Sequence, residues 1–473
     1  MKKSVKSNFI YSLGYNLINV LAPFIITPYV ARVLGPENMG IYSYSYSIAY
    51  YFVLFAMLGV INYGNRTIAA VRDDRTVLSK TFWDIYYMQM FLSVVLTLIY
   101  VGYSFINNGN KAICFTLVFY VLSAMFDITW LFYGVENFRF ILIRNFMIKL
   151  IDLICIFVFV KTSNDLFKYT LIMAVGFLLA NLFMWTNVHN YVDKSSFQLK
   201  DSIKHLKPNF VLFIPVIAIS IYNAMDKIML GKFASMIQVG YYDNSEKIIT
   251  IPQMIITALG TVMLPRISNL LATGEKKATK DYLEKSILFV AVISSACTFG
   301  IITVANEFIQ LYLGSGYEAC VLLLYLLMPC LIFKAYANVF RMQYLIPQKL
   351  DHIYIKSVCM GAVINFIINF LLIPRYYAAG ACIGTIAAEI IVCVYQMVYV
   401  VKDQKIIGAI LKGFVFQVIG FIMFAITNSV RFNDILFVRF IEKIFFGAAI
   451  FIVLSFAYIT SLYIHERKKR ERN

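Results

Sequence analysis

Runs of about twenty apolar residues, separated by short polar segments, recur along the whole chain and limit its possible folds. A helix of about 20 residues crosses the ~30 Å hydrocarbon layer of a bilayer. Each run must be helical, because lipid offers no partner for a free backbone amide. Of the 473 residues, 61% are hydrophobic and only 14% are charged, whereas soluble domains carry about 25% charged residues. We therefore predict an all-α, multi-pass integral membrane protein.

Breaks between the apolar runs predict about fourteen transmembrane helices. The fifth and ninth are interrupted or weakly bounded. The predicted spans are 9–33, 41–63, 82–105, 112–134, 143–161, 167–190, 208–231, 241–264, 285–305, 317–340, 353–374, 380–401, 408–428 and 443–464.

The distribution of positive charge predicts the orientation of these spans. If the N-terminus is cytoplasmic and the sides alternate, most of the 42 Lys and Arg residues fall in inner segments, as the positive-inside rule requires. The pattern holds up to the basic tail that follows Ile464, so both termini are predicted to be cytoplasmic. The net charge of +17 then belongs to helix ends that face an anionic leaflet, and no nucleic acid partner is expected.

Two stretches about two hundred residues apart share one pattern. Val33–Ile48 reads VLGPENMGIYSYSYSI and Met229–Ile248 reads MLGKFASMIQVGYYDNSEKI. Each leaves an apolar run through Leu-Gly and enters the next run at Gly-x-Tyr. An internal repeat in a polytopic chain is typical of transporters built from two related lobes.

The repeat predicts three segments. Residues 1–195 would form an N-lobe of helices 1–6 and residues 196–402 a C-lobe of helices 7–12, while residues 403–473 add helices 13 and 14 and the basic tail. Since six is an even number of spans, both lobes start on the same side. A parallel pseudo-two-fold axis along the membrane normal would then relate them.

Ionisable side chains within the spans mark the candidate binding site, because charge at membrane depth is costly and usually faces a wet cavity. Several cations in one cavity favour an anionic substrate group, most commonly phosphate. Arg32 could instead snorkel to water, and Lys149 with Asp152 could simply neutralise each other. The candidate substrate-binding residues are Arg32, Arg66, Asp226, Lys227 and Lys247, with the amides Asn19 and Asn223.

The sequence contains no pattern typical of a catalytic, metal or cofactor site. We find no Ser/His/Asp set, no glycine-rich phosphate loop and no cluster of the four histidines. The eight cysteines lie mostly inside spans and form no CxxC pair, which favours packing roles. We therefore expect no enzyme activity, no catalytic residue, no bound metal and no cofactor.

The sequence contains the stretches FIITPYVARVLGPENMG, WLFYGVENFRFILIRN and IYNAMDKIMLGKFASMIQVGYYDNSE, which start at Phe24, Trp130 and Ile221. Together they resemble the Wzx-type polysaccharide flippases of the multidrug/oligosaccharidyl-lipid/polysaccharide (MOP) exporter superfamily. The resemblance implies a fourteen-helix, two-lobed, V-shaped fold. It also implies export of undecaprenyl-diphosphate-linked oligosaccharide units across the bacterial plasma membrane by alternating access. A polysaccharide polymerase and glycosyltransferases would be its partners.

The resemblance also implies roles for individual residues. Arg32 matches a first-helix arginine that lines the central cavity of MurJ-type relatives, and Lys247 matches an eighth-helix arginine. Arg66 is similar to a second-helix arginine, although its surrounding sequence differs. The first helix lacks the aspartate that couples many drug extruders to an ion, so H⁺, Na⁺ and the membrane potential stay open as energy sources.

Three alternatives remain open from the sequence. A lipid II flippase keeps the fold and changes the glycan. A multidrug and toxin extrusion-type cation antiporter also keeps the fold, and would need accessible carboxylates such as Asp226 and Glu389. A membrane-embedded polymerase or glycosyltransferase is disfavoured, because the longest loops are too short to form a catalytic domain.

Overall fold

A computed structural model describes the backbone of residues 5–107, 109–195 and 199–472, and the side chains of residues 22–464 except 108, 196–199, 215, 222 and 223. Nearly all of this part of the chain is α-helical and it contains no strand, which confirms the predicted all-α class. The chain forms two compact units, Met1–Gly240 and Tyr241–Asn473. The division at residues 195 and 402 stays a prediction.

Unit 1 contains nine helices and the first turn of a tenth within its described residues. They are α1 Val5–Met57, α2 Val60–Val71, α3 Arg75–Ile106, α4 Lys111–Phe126, α5 Thr129–Gly134, α6 Phe138–Phe159, α7 Leu166–Trp185, α8 Leu199–Lys204, α9 Leu206–Phe233 and the start of α10 Met236–Ala272.

Unit 2 continues α10 and adds seven helices in its described residues. They are α11 Lys276–Thr303, α12 Ala305–Tyr312, α13 Ala319–Leu327, α14 Cys330–Phe340, α15 Asp351–Gln404, α16 Ile407–Ser429 and α17 Leu436–Arg472.

Two of the longest helices contain a break where the sequence predicts a loop between spans. In α1 the break is Gly35, with φ 77° and ψ 169°, a conformation that favours glycine. Pro36 follows, and a proline is well suited to the first turn of a helix because it has no amide hydrogen to leave unpaired. In α15 the break is Tyr377, with φ 52° and ψ −130°. Each break separates two predicted spans.

Ten helical segments in the described part of the chain are long and apolar enough to cross a membrane. Two of them, Ala22–Val71 and Asp351–Gln404, each contain one of these breaks. The fifth and seventh predicted spans coincide with α6 and α9, which are not among the ten. The multi-pass membrane class is thereby confirmed, while the count of fourteen stays a prediction.

The end of the second predicted span differs from the structure. The helix stops at Met57, and the positive φ of Leu58 (41°) and Gly59 (79°) turns the chain into the separate helix α2. Only one face of α2 is buried, formed by Val60, Gly64 and Ile68. The sequence predicted one continuous span here, because the apolar run is uninterrupted and hydropathy does not depend on backbone direction.

The segment Trp130–Asn145 builds the core of unit 1. The Trp130 side chain is fully buried, and its Nε1 donates to Gln89 Oε1 at 2.9 Å. Gly64 makes room for the indole, since a Cβ there would lie 2.6 Å from Trp130 Cε3. Glu136, which follows in the chain, pairs with Arg72 at 2.5 Å. The residues that carry one family resemblance are therefore packing residues.

In unit 2 a buried carboxylate joins α12 to α17. Glu307 Oε1 lies 3.1 Å from Arg439 Nε and 2.9 Å from Lys443 Nζ. A carboxylate at membrane depth requires such partners, because an unpaired charge there is costly. This contact fixes the last helix against the rest of its unit.

Candidate functional site

Within unit 1, residues 40–63 of α1 and α2 run antiparallel to residues 205–240 of α9 and α10. We call this contact the α1–α9 seam. At one end Tyr63 Oη and His205 Nδ1 are 2.7 Å apart. Further along, Tyr51 Oη donates to Ser220 O at 3.1 Å. The seam therefore extends over much of the length of α9.

At its other end, the seam depends on residues without side chains. A Cβ at Gly231 would lie 2.1 Å from Tyr44 Cδ2, so the ring packs directly on the α9 backbone. A Cβ at Gly40 would lie 1.6 Å from Met236 O. Small residues allow such backbone contact between helices in membranes. Three glycines of the repeat, Gly40, Gly231 and Gly240, thus serve helix packing, whereas Gly35 forms the break in α1.

Arg32 lies one turn before the Gly35 break in α1, and its side chain is exposed. In the described structure this residue belongs to the helix that forms one side of the seam. An exposed arginine near a helix end is compatible both with snorkelling to water and with a polar cavity. The substrate-binding role of Arg32 therefore stays a prediction, and snorkelling to water stays its alternative.

Asp226 and Lys227 lie on α9 between the levels of Ser220 and Gly231 in the seam. The Asp226 side chain is buried, with 1% exposed, whereas Lys227 is half-buried. The Asp226 carboxylate is close enough to Tyr51 to act on it electrostatically. The two adjacent residues therefore have different surroundings, as their spacing predicts.

Arg66 lies on α2, outside the face by which that helix packs. Its side chain is exposed, while the buried positions are Val60, Gly64 and Ile68. Arg66 therefore belongs to a short helix after the break and not to the preceding long helix. The substrate-binding role predicted for Arg66 stays a prediction.

Lys247 lies on α10 in unit 2 and has a partner that the sequence interpretation missed. Its Nζ is 2.6 Å from Asp243 Oδ2, one helical turn earlier. The Asp243 side chain is 4% exposed and that of Lys247 is 32% exposed. The i, i+4 spacing of a carboxylate and a lysine was the available signal.

The structure brings together only part of the predicted set. Arg32 and Asp226 lie on helices that contact each other in unit 1, and Arg66 lies on a helix that continues the seam. Lys247 lies in the other unit and is described there by itself. The side chains of Asn19 and Asn223 lie outside the described residues.

Glu389, one of the two carboxylates that a cation antiporter would need, is paired within unit 2. Its Oε1 lies 3.4 Å from Lys334 Nζ, and the same ammonium donates to Gln253 Oε1 at 3.4 Å. The glutamate side chain is almost fully buried. This arrangement neutralises the carboxylate and leaves no open anionic surface at that position.

Unit 1 also encloses a polar cavity of about 290 Å³ among α4, α6 and α7. Asp127, Arg144, Lys149 and Asp152 contribute to its lining. The predicted Lys149–Asp152 pair forms, at 3.7 Å. Arg144 is buried and donates to Thr129 Oγ1 at 3.1 Å. Two cations and two carboxylates balance in this cavity.

Two family models match the chain, each over more than half its length. The model of the family described as polysaccharide biosynthesis protein matches residues 5–271. The model described as lipid II flippase MurJ matches residues 145–446. Together they extend from the first described helix into α17.

Among individual proteins, the chain is similar to the "Putative O-antigen transporter" of Escherichia coli (strain K12), with 23% identity over 412 residues, 86% of this chain and 99% of that protein. It is 22% identical over 388 residues to the "Capsular polysaccharide biosynthesis protein CapF" of Staphylococcus aureus, covering 80% of this chain and 94% of that protein.

Among solved structures, the fold is similar to "Lipid II flippase MurJ, inward closed conformation". The TM-score is 0.79 at 16% identity, and the match covers 96% of this chain and all of that one. An inward-facing multidrug resistance MATE family transporter of the MOP superfamily matches with a TM-score of 0.62 at 12% identity, covering 84% of this chain and 95% of that one. These likenesses show the fold.

Proposed function

This chain belongs to the polysaccharide biosynthesis protein family, as a Wzx-type flippase of the MOP superfamily, and we propose that it moves undecaprenyl-diphosphate-linked oligosaccharide units across the bacterial plasma membrane by alternating access. The observation that supports this proposal most directly is the family match over residues 5–271, which includes all five charged candidate site residues. The similar proteins of known name are connected with O-antigen and capsular polysaccharide. The class of cargo is therefore a lipid-linked oligosaccharide.

The charged residues of the spans support an anionic group on the cargo. Arg32 is exposed and Lys227 and Lys247 are half-buried, so each has a part of its side chain accessible. A diphosphate is the strongest anion of a lipid-linked oligosaccharide, and cations stabilise it at membrane depth. We propose that Arg32, Arg66, Lys227 and Lys247 attract the diphosphate, with Asp226, Asn19 and Asn223 completing the polar surface.

Carboxylate pairing supports this cargo over a cationic drug. Glu389 is neutralised by Lys334 and Asp243 by Lys247. A cation antiporter would instead need a carboxylate open to the cavity. The proposal also places both termini in the cytoplasm and takes energy from H⁺, Na⁺ or the membrane potential. The polymerase and glycosyltransferases of the same pathway act before and after it.

The test is the surface polymer of a strain that lacks the gene and carries plasmid-borne variants. We expect Arg32→Ala to abolish surface polymer while membrane protein level is unchanged, and Lys247→Ala to abolish polymer measured per amount of membrane protein. The conservative variants Arg32→Lys and Lys247→Arg should retain polymer, because the cation remains. Normal polymer in both alanine variants would remove these residues from the site.

The cargo itself is tested with purified protein in proteoliposomes. A fluorescent undecaprenyl-diphosphate oligosaccharide in the inner leaflet becomes accessible to an impermeant quencher only after it is flipped. The wild-type protein should accelerate this exposure, and the double variant Arg32→Ala/Lys247→Ala should not. Equal rates with wild-type protein and with empty liposomes would contradict the flippase proposal.

A further inference from the structure

Three connections of unit 2 meet around a second cavity that the transport site does not use. The cavity measures about 800 Å³. It lies at the α10–α11 turn, at the segment before α15 and at the end of α15. The predicted topology assigns all three connections to the cytoplasmic side. Its lining residues are Leu271, Lys276, Lys277, Thr279, Lys280, Pro347, Gln348, Asp403, Gln404 and Lys405.

The lining is strongly basic: four lysines face one carboxylate, Asp403. That carboxylate accepts a hydrogen bond from the adjacent Gln404 Nε2. Lys280 has only a distant contact with Glu284, at 3.7 Å. Within the described residues, neither Lys276, Lys277 nor Lys405 forms an ion pair. Four ammonium groups against one carboxylate leave the lining with a net positive charge, so the cavity favours an anion.

The backbone at Lys405 supports a role for its charge. This residue caps α15 with φ 51°, in the left-handed region. Glycine is the usual residue at such a position, because a Cβ is unfavourable there. The next residue, Ile406, is fully buried and holds the turn in place. Such backbone strain persists only where the surrounding structure fixes it.

We propose that this basic cavity binds a phosphate-bearing anion, carried either by an anionic lipid headgroup or by a soluble phosphorylated compound. Lysine ammonium groups act as point charges that suit phosphate. Basic pockets between membrane helices on the cytoplasmic side bind lipid headgroups by the same chemistry. The site is separate from the proposed transport residues and does not depend on them.

The experiment compares two triple variants of the full chain in phosphatidylcholine nanodiscs. The cavity variant is Lys276→Gln/Lys277→Gln/Lys405→Gly, in which glycine removes the charge and relieves the positive φ. The control is Lys349→Gly/Lys356→Gln/Lys402→Gln. It removes three lysines from the neighbouring connections, none of which lines the cavity, and Lys349 also has a positive φ, 59°.

Two probes distinguish the sources of phosphate. Inorganic pyrophosphate is titrated onto the protein by calorimetry at low salt. Separately, phosphatidylglycerol is added to the nanodiscs, and the lipid that stays bound is counted by native mass spectrometry. We expect at least one probe to bind wild-type protein saturably. Its affinity for the cavity variant should be lower by about tenfold or more, because several exposed charge contacts are lost. The control should bind within about twofold of wild type.

Each outcome decides the proposal. Pyrophosphate binding that the cavity variant loses assigns a site for soluble phosphate compounds. Retained phosphatidylglycerol that the cavity variant loses assigns a lipid headgroup site. Equal losses in the cavity and control variants would mean that general surface charge is responsible, and binding of neither probe by wild-type protein would also overturn the proposal. A melting temperature for each variant verifies that it is folded.

Discussion

Gly40 and Gly240 lie back to back in unit 1, so closely that neither position has room for a side chain. A Cβ at Gly40 would lie 1.6 Å from Met236 O and 2.9 Å from the amide nitrogen of Gly240. A Cβ at Gly240 would lie 1.9 Å from Pro36 O and 3.2 Å from the amide nitrogen of Gly40. The two glycines are the matching residues of the internal repeat, so the duplicated sequence element makes contact with its own copy.

This contact predicts that Gly40→Ala destabilises the described conformation. The clash is with backbone atoms, which cannot rotate away, so α1 and α10 would have to separate. Forcing extra atoms into a packed site costs about 1–3 kcal/mol. We expect a lower melting temperature in detergent and slower cross-linking between two cysteines placed on opposite sides of the seam.

The matched control for that experiment is Gly102→Ala in α3. Nothing lies within 4 Å of a Cβ at Gly102, so alanine there should be neutral or stabilising by about 1 kcal/mol or less. If Gly40→Ala behaves like Gly102→Ala in both assays, the close backbone contact does not contribute to stability.

The Asp243–Lys247 pair allows a substrate role of Lys247 to be separated from a structural one. Lys247→Gln removes the ammonium that pairs with the buried Asp243 carboxylate, and breaking a buried pair in this way costs about 3–5 kcal/mol. The double variant Asp243→Asn/Lys247→Gln removes both charges and should recover most of the lost stability. Melting temperature and membrane protein level report this recovery.

Surface polymer then shows whether the cation itself is needed. We expect the double variant to reach wild-type protein level and still produce no polymer, because the cavity has lost a charge that attracts the cargo. Asp243→Asn alone keeps the lysine and should transport. Restored polymer in the double variant would limit Lys247 to neutralising Asp243.

The ion cluster around Glu307 predicts that the attachment of α17 contributes to the stability of unit 2. Glu307→Gln leaves Arg439 and Lys443 of α17 facing a neutral side chain at a buried position. Loss of one partner from such a cluster should cost about 3 kcal/mol and loosen α17. Limited proteolysis in detergent would detect faster cleavage around residues 430–436. Glu284→Gln, whose partner lies 3.7 Å away on an exposed surface, should change stability by less than about 1 kcal/mol.

The sequence predicted the features that depend on composition and periodicity. Apolar runs indicated helices, and glycine and proline near Gly35 indicated the break in α1. The sequence did not reveal the end of the helix at Met57, because Leu58 and Gly59 continue the apolar run. Nor did it predict that Gly40 meets Gly240, since a contact over two hundred residues depends on tertiary packing.

Prediction of individual charge partners succeeded only for local spacing. Lys149 and Asp152, three residues apart, form the expected pair at 3.7 Å. The same rule would have found Asp243 for Lys247, four residues apart, had the helix face been considered. Glu389 and Lys334 are 55 positions apart in sequence and lie on different helices. No local pattern could assign that pair or the contacts of Glu307.

The Tyr63–His205 contact predicts a pH-dependent stability of the seam. His205 lies just before α9, and burial lowers the pKa of its imidazole from the ordinary value of 6.5. Lys204 lowers this pKa as well, and Asp84 and Asp201 raise it by less than burial lowers it. The unfolded chain takes up a proton as the pH falls through about 6.5, and the folded chain does so only at lower pH. The stabilising contribution of the neutral ring is therefore complete above that pH and is lost as the pH falls towards the folded pKa.

Melting temperatures in detergent at pH 7.5 and pH 5 test this sign. Wild-type protein should lose stability on acidification, and His205→Asn should lose less, because its amide still offers an acceptor to Tyr63 and cannot be protonated. Asp201, which acts on His205, stays ionised at both pH values, because Lys204 and Lys80 lower its pKa to about 2. The exposed His352 provides the control, since His352→Asn should follow the wild-type curve. Parallel curves for wild type and His205→Asn would exclude this imidazole as the titrating group.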